Sequence, residues 1–125
     1  MALVGGGEPT SASVVRRFGG QKFPLLVRAG HTVTVQVPEA ARAVAALGYG
    51  PLPQGEVTLT RAHHTVTFVS CGRAEASGSS ADGRVTFWSG FVVVNAPSCV
   101  PLDVYVDDDL PPRRVTVSLG AACLR

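Results

Sequence analysis

The sequence predicts an all-β fold, an antiparallel β-sandwich of about seven or eight strands with Greek-key, immunoglobulin-like connections and one short helix. Three observations predict it. Val is abundant and Thr recurs beside it, and both residues suit the pleated, half-buried surface of a sheet. Several segments alternate apolar and polar residues with period two, which marks strands with one covered and one wet face. Turn-forming residues separate these segments at short intervals, the spacing of a sandwich or barrel rather than of βαβ units. The chain has 125 residues, which fits one domain. Its 46% hydrophobic and 16% charged content excludes a disordered chain.

From the N-terminus, the lead between Gly5 and Ser13 is rich in Gly, Pro, Ser and Thr and reads as a linker. Residues 1–20 are therefore expected to form a flexible tail and residues 21–125 the sandwich. Phe23–Arg28 is the first predicted strand, and Ala29-Gly30 turns it into His31–Val37. There Val33, Val35 and Val37 share one face, and Thr32, Thr34 and Gln36 share the other. Glu39–Leu47 is the predicted helix, with Ala40, Val44 and Leu47 at helical spacing, Pro38 in the first turn and Gly48 after the end. Glu56–Thr60 and Thr65–Val69 read as short strands joined at Ala62-His63, and Gly72–Gly83 as a long flexible loop.

Val85–Asn95 does not alternate cleanly. It resets at Gly90, where a bulge would switch the inward face, and Phe91–Val94 is apolar on both sides. Such a strand is either covered on both faces or leaves an exposed apolar patch. Val100–Val106 and Arg114–Leu119 alternate again, and Asp107–Pro112 joins them as a hairpin.

Three cysteines stand at Cys71, Cys99 and Cys123, and none belongs to a C-x-x-C pair. Cys99–Cys123 is the favoured disulfide, because it would staple a chain end otherwise free to fray. It would close a loop of about 25 residues and contribute about 3.5 kcal/mol on the chain-entropy model. Cys71 is then free. Cys71–Cys99 is the competing pair, and three buried thiols are the third arrangement.

Signals for chemistry are weak. Net charge is +2 and no Lys/Arg run exceeds a pair, so no nucleic-acid partner is expected. No apolar run approaches the roughly 18 residues of a membrane span. The start, Met1-Ala-Leu-Val-Gly-Gly-Gly7, has no basic n-region and no apolar h-region. The chain thus reads as a mature domain from outside the cytoplasm, lacking its targeting segment, with a cytoplasmic protein as the alternative. His63 and Cys71, with His31 and His64, are the metal candidates, but His63 and His64 are neighbours and point to opposite faces of a strand, so no metal is expected. Asp107-Asp108-Asp109 lacks the ligand spacing of a calcium loop. No nucleophile elbow, zinc helix or phosphate loop occurs, and Cys71 and His64 would lie about 23 Å apart on an extended strand. The chain is read as non-enzymatic and without a cofactor.

The aromatic and apolar residues carry the remaining functional expectation. Trp88, Phe91, Val93, Tyr49 and Tyr105 form the candidate interaction patch, centred on Gly90–Val94 and the Tyr49–Pro53 loop, for a protein partner or self-association. Trp88, Tyr49 and Tyr105 are alternatively a sugar-stacking platform, or a core Trp with two rim tyrosines.

Three strings carry a resemblance: Phe87-Trp-Ser-Gly-Phe-Val-Val-Val94, then Pro97-Ser-Cys-Val-Pro-Leu-Asp-Val-Tyr-Val106, then Arg113-Arg-Val-Thr-Val-Ser-Leu-Gly-Ala-Ala-Cys123. With Phe23-Pro-Leu-Leu-Val-Arg-Ala-Gly-His-Thr-Val-Thr-Val35, this pattern resembles secreted or envelope-anchored β-domain proteins of high-GC actinobacteria. The resemblance implies a β domain outside the cytoplasm and carries over no catalytic residue. The expected function is a non-catalytic extracytoplasmic interaction or structural module. The alternative is a carbohydrate- or small-ligand-binding sandwich, and a small hydrolase or metalloprotein ranks third.

Overall fold

The structure is a computed structural model that describes residues 3–5, 11–23, 25–49, 59, 62–70, 78–79, 85–88, 90–107 and 109–123. Its strands are β1 (Leu3–Gly5), β2 (Gly20–Lys22), β3 (Leu25–Arg28), β4 (Thr32–Gln36), β5 (Ala45–Gly48), β6 (Thr65–Val69), β7 (Gly78–Ser79), β8 (Val85–Trp88), β9 (Phe91–Val94), β10 (Ser98–Val106) and β11 (Arg113–Leu119). One α-helix, α1, spans Ala12–Phe18, and a 3₁₀ turn spans Glu39–Ala41.

The strands pair in the orders β1-β3-β8-β7, β2-β9-β5 and β11-β10-β4-β6, all antiparallel where partners are described. The first two are one layer. Leu25 stands opposite Trp88, the Phe23 N–H donates to the Gly90 carbonyl, and Lys22 stands opposite Phe91. That single unbroken register joins β2 and β3 on one side to β8 and β9 on the other. The third sheet packs against this layer. Leu25, Val27, Trp88, Val92, Val94, Ala45 and Leu47 from one layer meet Val33, Val35, Phe68, Val100, Leu102, Val104 and Leu119 from the other in one core. The chain is mostly β, with the expected sandwich-like arrangement.

The β6 approach shows how the layers connect. His63 pairs with Leu47 of β5, and the His64 carbonyl accepts from the Val37 N–H beyond β4. Two consecutive residues thus bond to different layers and make a corner.

The expected helix is in the wrong place. Glu39–Leu47 yields one 3₁₀ turn and then β5, all four residues of which are buried. No side chain caps that turn. Ala45 and Leu47 instead stand opposite Val94 and Val92 of β9. A ladder with a buried neighbour outweighs the few tenths of a kcal/mol per residue by which Ala prefers a helix. The helix that does form lies inside the expected tail, so residue 20 is not a boundary of the folded unit. Ser11 caps it by accepting from the Val14 N–H, Gly19 ends it at φ 72°, and Arg16 and Arg17 sit in its last turn. Val15 anchors it in the core at 1% exposure.

Gly90 is not a face-switching bulge. Trp88, Val92 and Val94 all belong to the core, so the inward face is unchanged across Gly90. The glycine makes room instead: a Cβ there would lie 1.9 Å from Tyr49 Cδ2. The expected strand at Glu56–Thr60 and most of the Gly72–Gly83 loop lie outside the described residues, apart from Leu59 and β7.

Candidate functional site

Among the described residues most of the expected apolar patch lies in the interior. Tyr49, Trp88 and Val93 are 2%, 5% and 3% exposed. Val93 stands in the middle strand of its sheet, with Gly20 and Ala46 opposite it. Phe91 is only partly exposed, and residues 50–53 lie outside the described set. Trp88 and Tyr49 build the core with Phe68. Phe68 makes edge-on contacts to both, at 5.2 Å to Tyr49 and 5.5 Å to Trp88 between ring centroids. The Tyr49 hydroxyl donates to the Phe23 carbonyl, and burial pushes its pKa up. A sugar-stacking platform of Trp88, Tyr49 and Tyr105 is therefore excluded, since only Tyr105 reaches the surface.

Tyr105 belongs to a different surface, the outer face of β11-β10-β4-β6. The register places its residues in rows. Arg114, Asp103, Gln36 and Thr65 stand side by side across all four strands. Tyr105, Thr34 and Thr67 form the next row. Thr32 and Val69 continue into a third, where Asp107 meets the start of β4. These are the outward positions of strands whose alternate residues, Val33, Val35, Leu102 and Val104, fill the core.

Neighbouring side chains hold one another. Arg114 donates from Nε to Asp103 Oδ1 at 2.8 Å and from its terminal nitrogen to Oδ2 at 3.1 Å. This two-pronged bond raises the guanidinium pKa and fixes a planar pair of donors and acceptors on the face. The ladder places Arg114 directly opposite Asp103, which is why it pairs there and not with the aspartates of the hairpin. The Tyr105 hydroxyl donates to Gln36 Oε1 at 3.4 Å, and the Thr34 and Thr67 hydroxyls bond at 2.9 Å.

At the rim, Asp107 has a left-handed backbone, φ 52°, which an Asp tolerates better than most residues. That conformation turns its carboxylate back onto β4. Oδ1 accepts from the Thr32 N–H at 2.9 Å, and Oδ2 lies 2.6 Å from His31 Nδ1. The backbone bond from Thr32, and then the imidazole of His31, hold the carboxyl pKa below its ordinary value. In the sequence Asp107 opens the hairpin connection and His31 opens a strand. Their pairing across 76 residues carries no local signal.

His63 and His64 form the corner described above, with His63 exposed and His64 half-buried, and among the described residues no group of three His, Cys, Asp or Glu side chains could hold a metal. Cys71 lies outside them. Cys99 of β10 is bonded to Cys123, just beyond β11, closing 24 residues of chain. No helix among the described residues is long and apolar enough to cross a membrane.

The fold and this face define a disulfide-closed, two-layer β domain with a preorganised polar sheet surface. Comparison with protein-family models, with curated proteins and with solved structures finds no match for the chain.

Proposed function

We propose that this protein is a non-catalytic, extracytoplasmic binding module that engages a carbohydrate through the outer face of β11-β10-β4-β6. One observation supports the reading above the others. Tyr105, the Arg114–Asp103 pair, Gln36 and the Thr34–Thr67 pair lie in adjacent rows of one sheet. Pyranose rings offer an apolar C–H face and a rim of hydroxyls. An aromatic ring beside paired donors and acceptors matches both, and side chains already bonded to one another lose little freedom on binding. Location outside the cytoplasm is supported by the Cys99–Cys123 bond, since disulfides persist in oxidising compartments.

The test is a panel of polysaccharides titrated into isotopically labelled protein. Binding should move amide resonances of β4, β6, β10 and β11 and leave β9 still. Tyr105→Ala should weaken binding about tenfold, the loss of one aromatic contact of about 1.4 kcal/mol, with an unchanged melting temperature. A silent panel, or shifts centred elsewhere, would sink the assignment.

A further inference from the structure

We infer that the end of the molecule formed by α1 docks on an anionic lipid surface. Among the described residues the exposed large apolar side chains are Val14, Phe18, Val44 and Leu110, at 40%, 62%, 39% and 79%. Leu110 belongs to the β10–β11 hairpin, Val14 and Phe18 to α1, and Val44 to the turn that precedes β5. Val14 and Phe18 are one turn apart on the same side of α1. The helix ends at Gly19, whose carbonyl accepts from the Val94 N–H, and the next residue, Asn95, donates to the Val44 carbonyl. Two successive residues at the end of β9 thus bond to the helix end on one side and to Val44 on the other, which places Val44 one strand away from the helix end.

Charge selects the partner. Between Pro9 and Pro38 the chain carries Arg16, Arg17, Lys22 and Arg28 and no Asp or Glu, although the whole chain has 11 basic and 9 acidic residues. Arg16, Arg17 and Lys22 are exposed. The Arg17 guanidinium lies 5.4 Å from the centroid of the Phe18 ring, so charge and aromatic surface are presented together. The turn before Val44 adds one acid, Glu39, and one cation, Arg42, and leaves the excess positive. A ring that projects this far needs a surface that yields. A bilayer interface accepts the ring below its headgroups and sets phosphates level with the flanking guanidinium groups.

The probe is the whole protein, disulfide intact, sedimented with vesicles of phosphatidylcholine alone or mixed with phosphatidylglycerol. Wild type should bind the mixed vesicles, and salt should release it. Phe18→Ser and the pair Arg16→Glu with Arg17→Glu should each reduce binding roughly tenfold or more while the protein stays folded, because these side chains are exposed; the charge reversal also opposes the dipole of α1 and should lower the melting temperature slightly. Phe18→Trp should bind and shift its added fluorescence to the blue. Tyr105→Ala should bind vesicles as wild type does, which separates this surface from the polar sheet face. Failure of wild type to bind mixed vesicles overturns the inference, as does equal binding by the variants or by neutral vesicles. Self-association abolished by Phe18→Ser, without vesicle binding, would assign the surface to a second copy and overturn it too.

Discussion

β4 and β9 invite comparison because both are Val-rich and both are central. β4 lies between β10 and β6, and β9 lies between β2 and β5. In β4 burial alternates, with Val33 and Val35 inside and Thr32, Thr34 and Gln36 partly exposed. In β9 Val92, Val93 and Val94 are all buried. Of the two arrangements that an unbroken apolar run allows, a contact surface or a strand covered on both faces, β9 adopts the second. The wet face that can meet a ligand is announced by alternation, because only a half-buried strand keeps polar side chains in register with those of its neighbours. In this molecule the conspicuous apolar string builds the interior and the unremarkable Thr–Val strings build the candidate site.

The largest effect should come from placing a charge in β9. Val93→Asp should unfold the protein, since an unpaired carboxylate buried there costs several kcal/mol, about as much as the net stability of a small domain. Circular dichroism would show it, and a folded, soluble Val93→Asp protein would break the comparison. Opening the disulfide with Cys99→Ser and Cys123→Ser comes next. It should lower stability by about 3.5 kcal/mol in urea titrations, through loss of the loop constraint between β10 and the segment beyond β11. Gly90→Ala should cost about 1–3 kcal/mol, as Tyr49 is forced off its seat against the glycine and from the Phe23 carbonyl.

The smallest effect belongs to the wet face and is read against pH. Asp107 titrates lower in the folded protein than its ordinary value of 3.8. The folded state therefore binds this proton less readily than the unfolded one. Its contribution is complete above pH about 4 and disappears as pH falls through the lowered value. Asp107→Asn should thus flatten the loss of stability as pH falls below about 4, and because this carboxylate is exposed the substitution should change melting little. A wild-type acid limb as shallow as the variant's would remove the Thr32–Asp107–His31 contact from the account.

Legibility followed the range of the physics. Period two in His31–Val37, Val100–Val106 and Arg114–Leu119 reports how a strand meets a core; the first segment contains β4, and the other two lie within β10 and β11. The hairpin at Asp107–Pro112 was readable from turn chemistry, and Cys99–Cys123 from the need to secure a chain end. The helix was legible in principle, since Ser11 and Gly19 bracket it with the expected cap chemistry. The Gly- and Pro-rich lead masked that signal.

Other features had no local trace. β5 is a strand because β9 is there to pair with it, and Ala45-Ala46-Leu47 alone favours a helix. Gly90 marks a ring packed on the backbone from Tyr49, 41 residues earlier, rather than a bulge. The Arg114–Asp103–Gln36–Thr65 row and the Asp107–His31 contact exist through strand order and register. Residue chemistry sets which side chains each strand can turn outward. Which of those side chains become neighbours depends on non-local pairing, and pairing is chosen by the burial of the whole core rather than by any one segment.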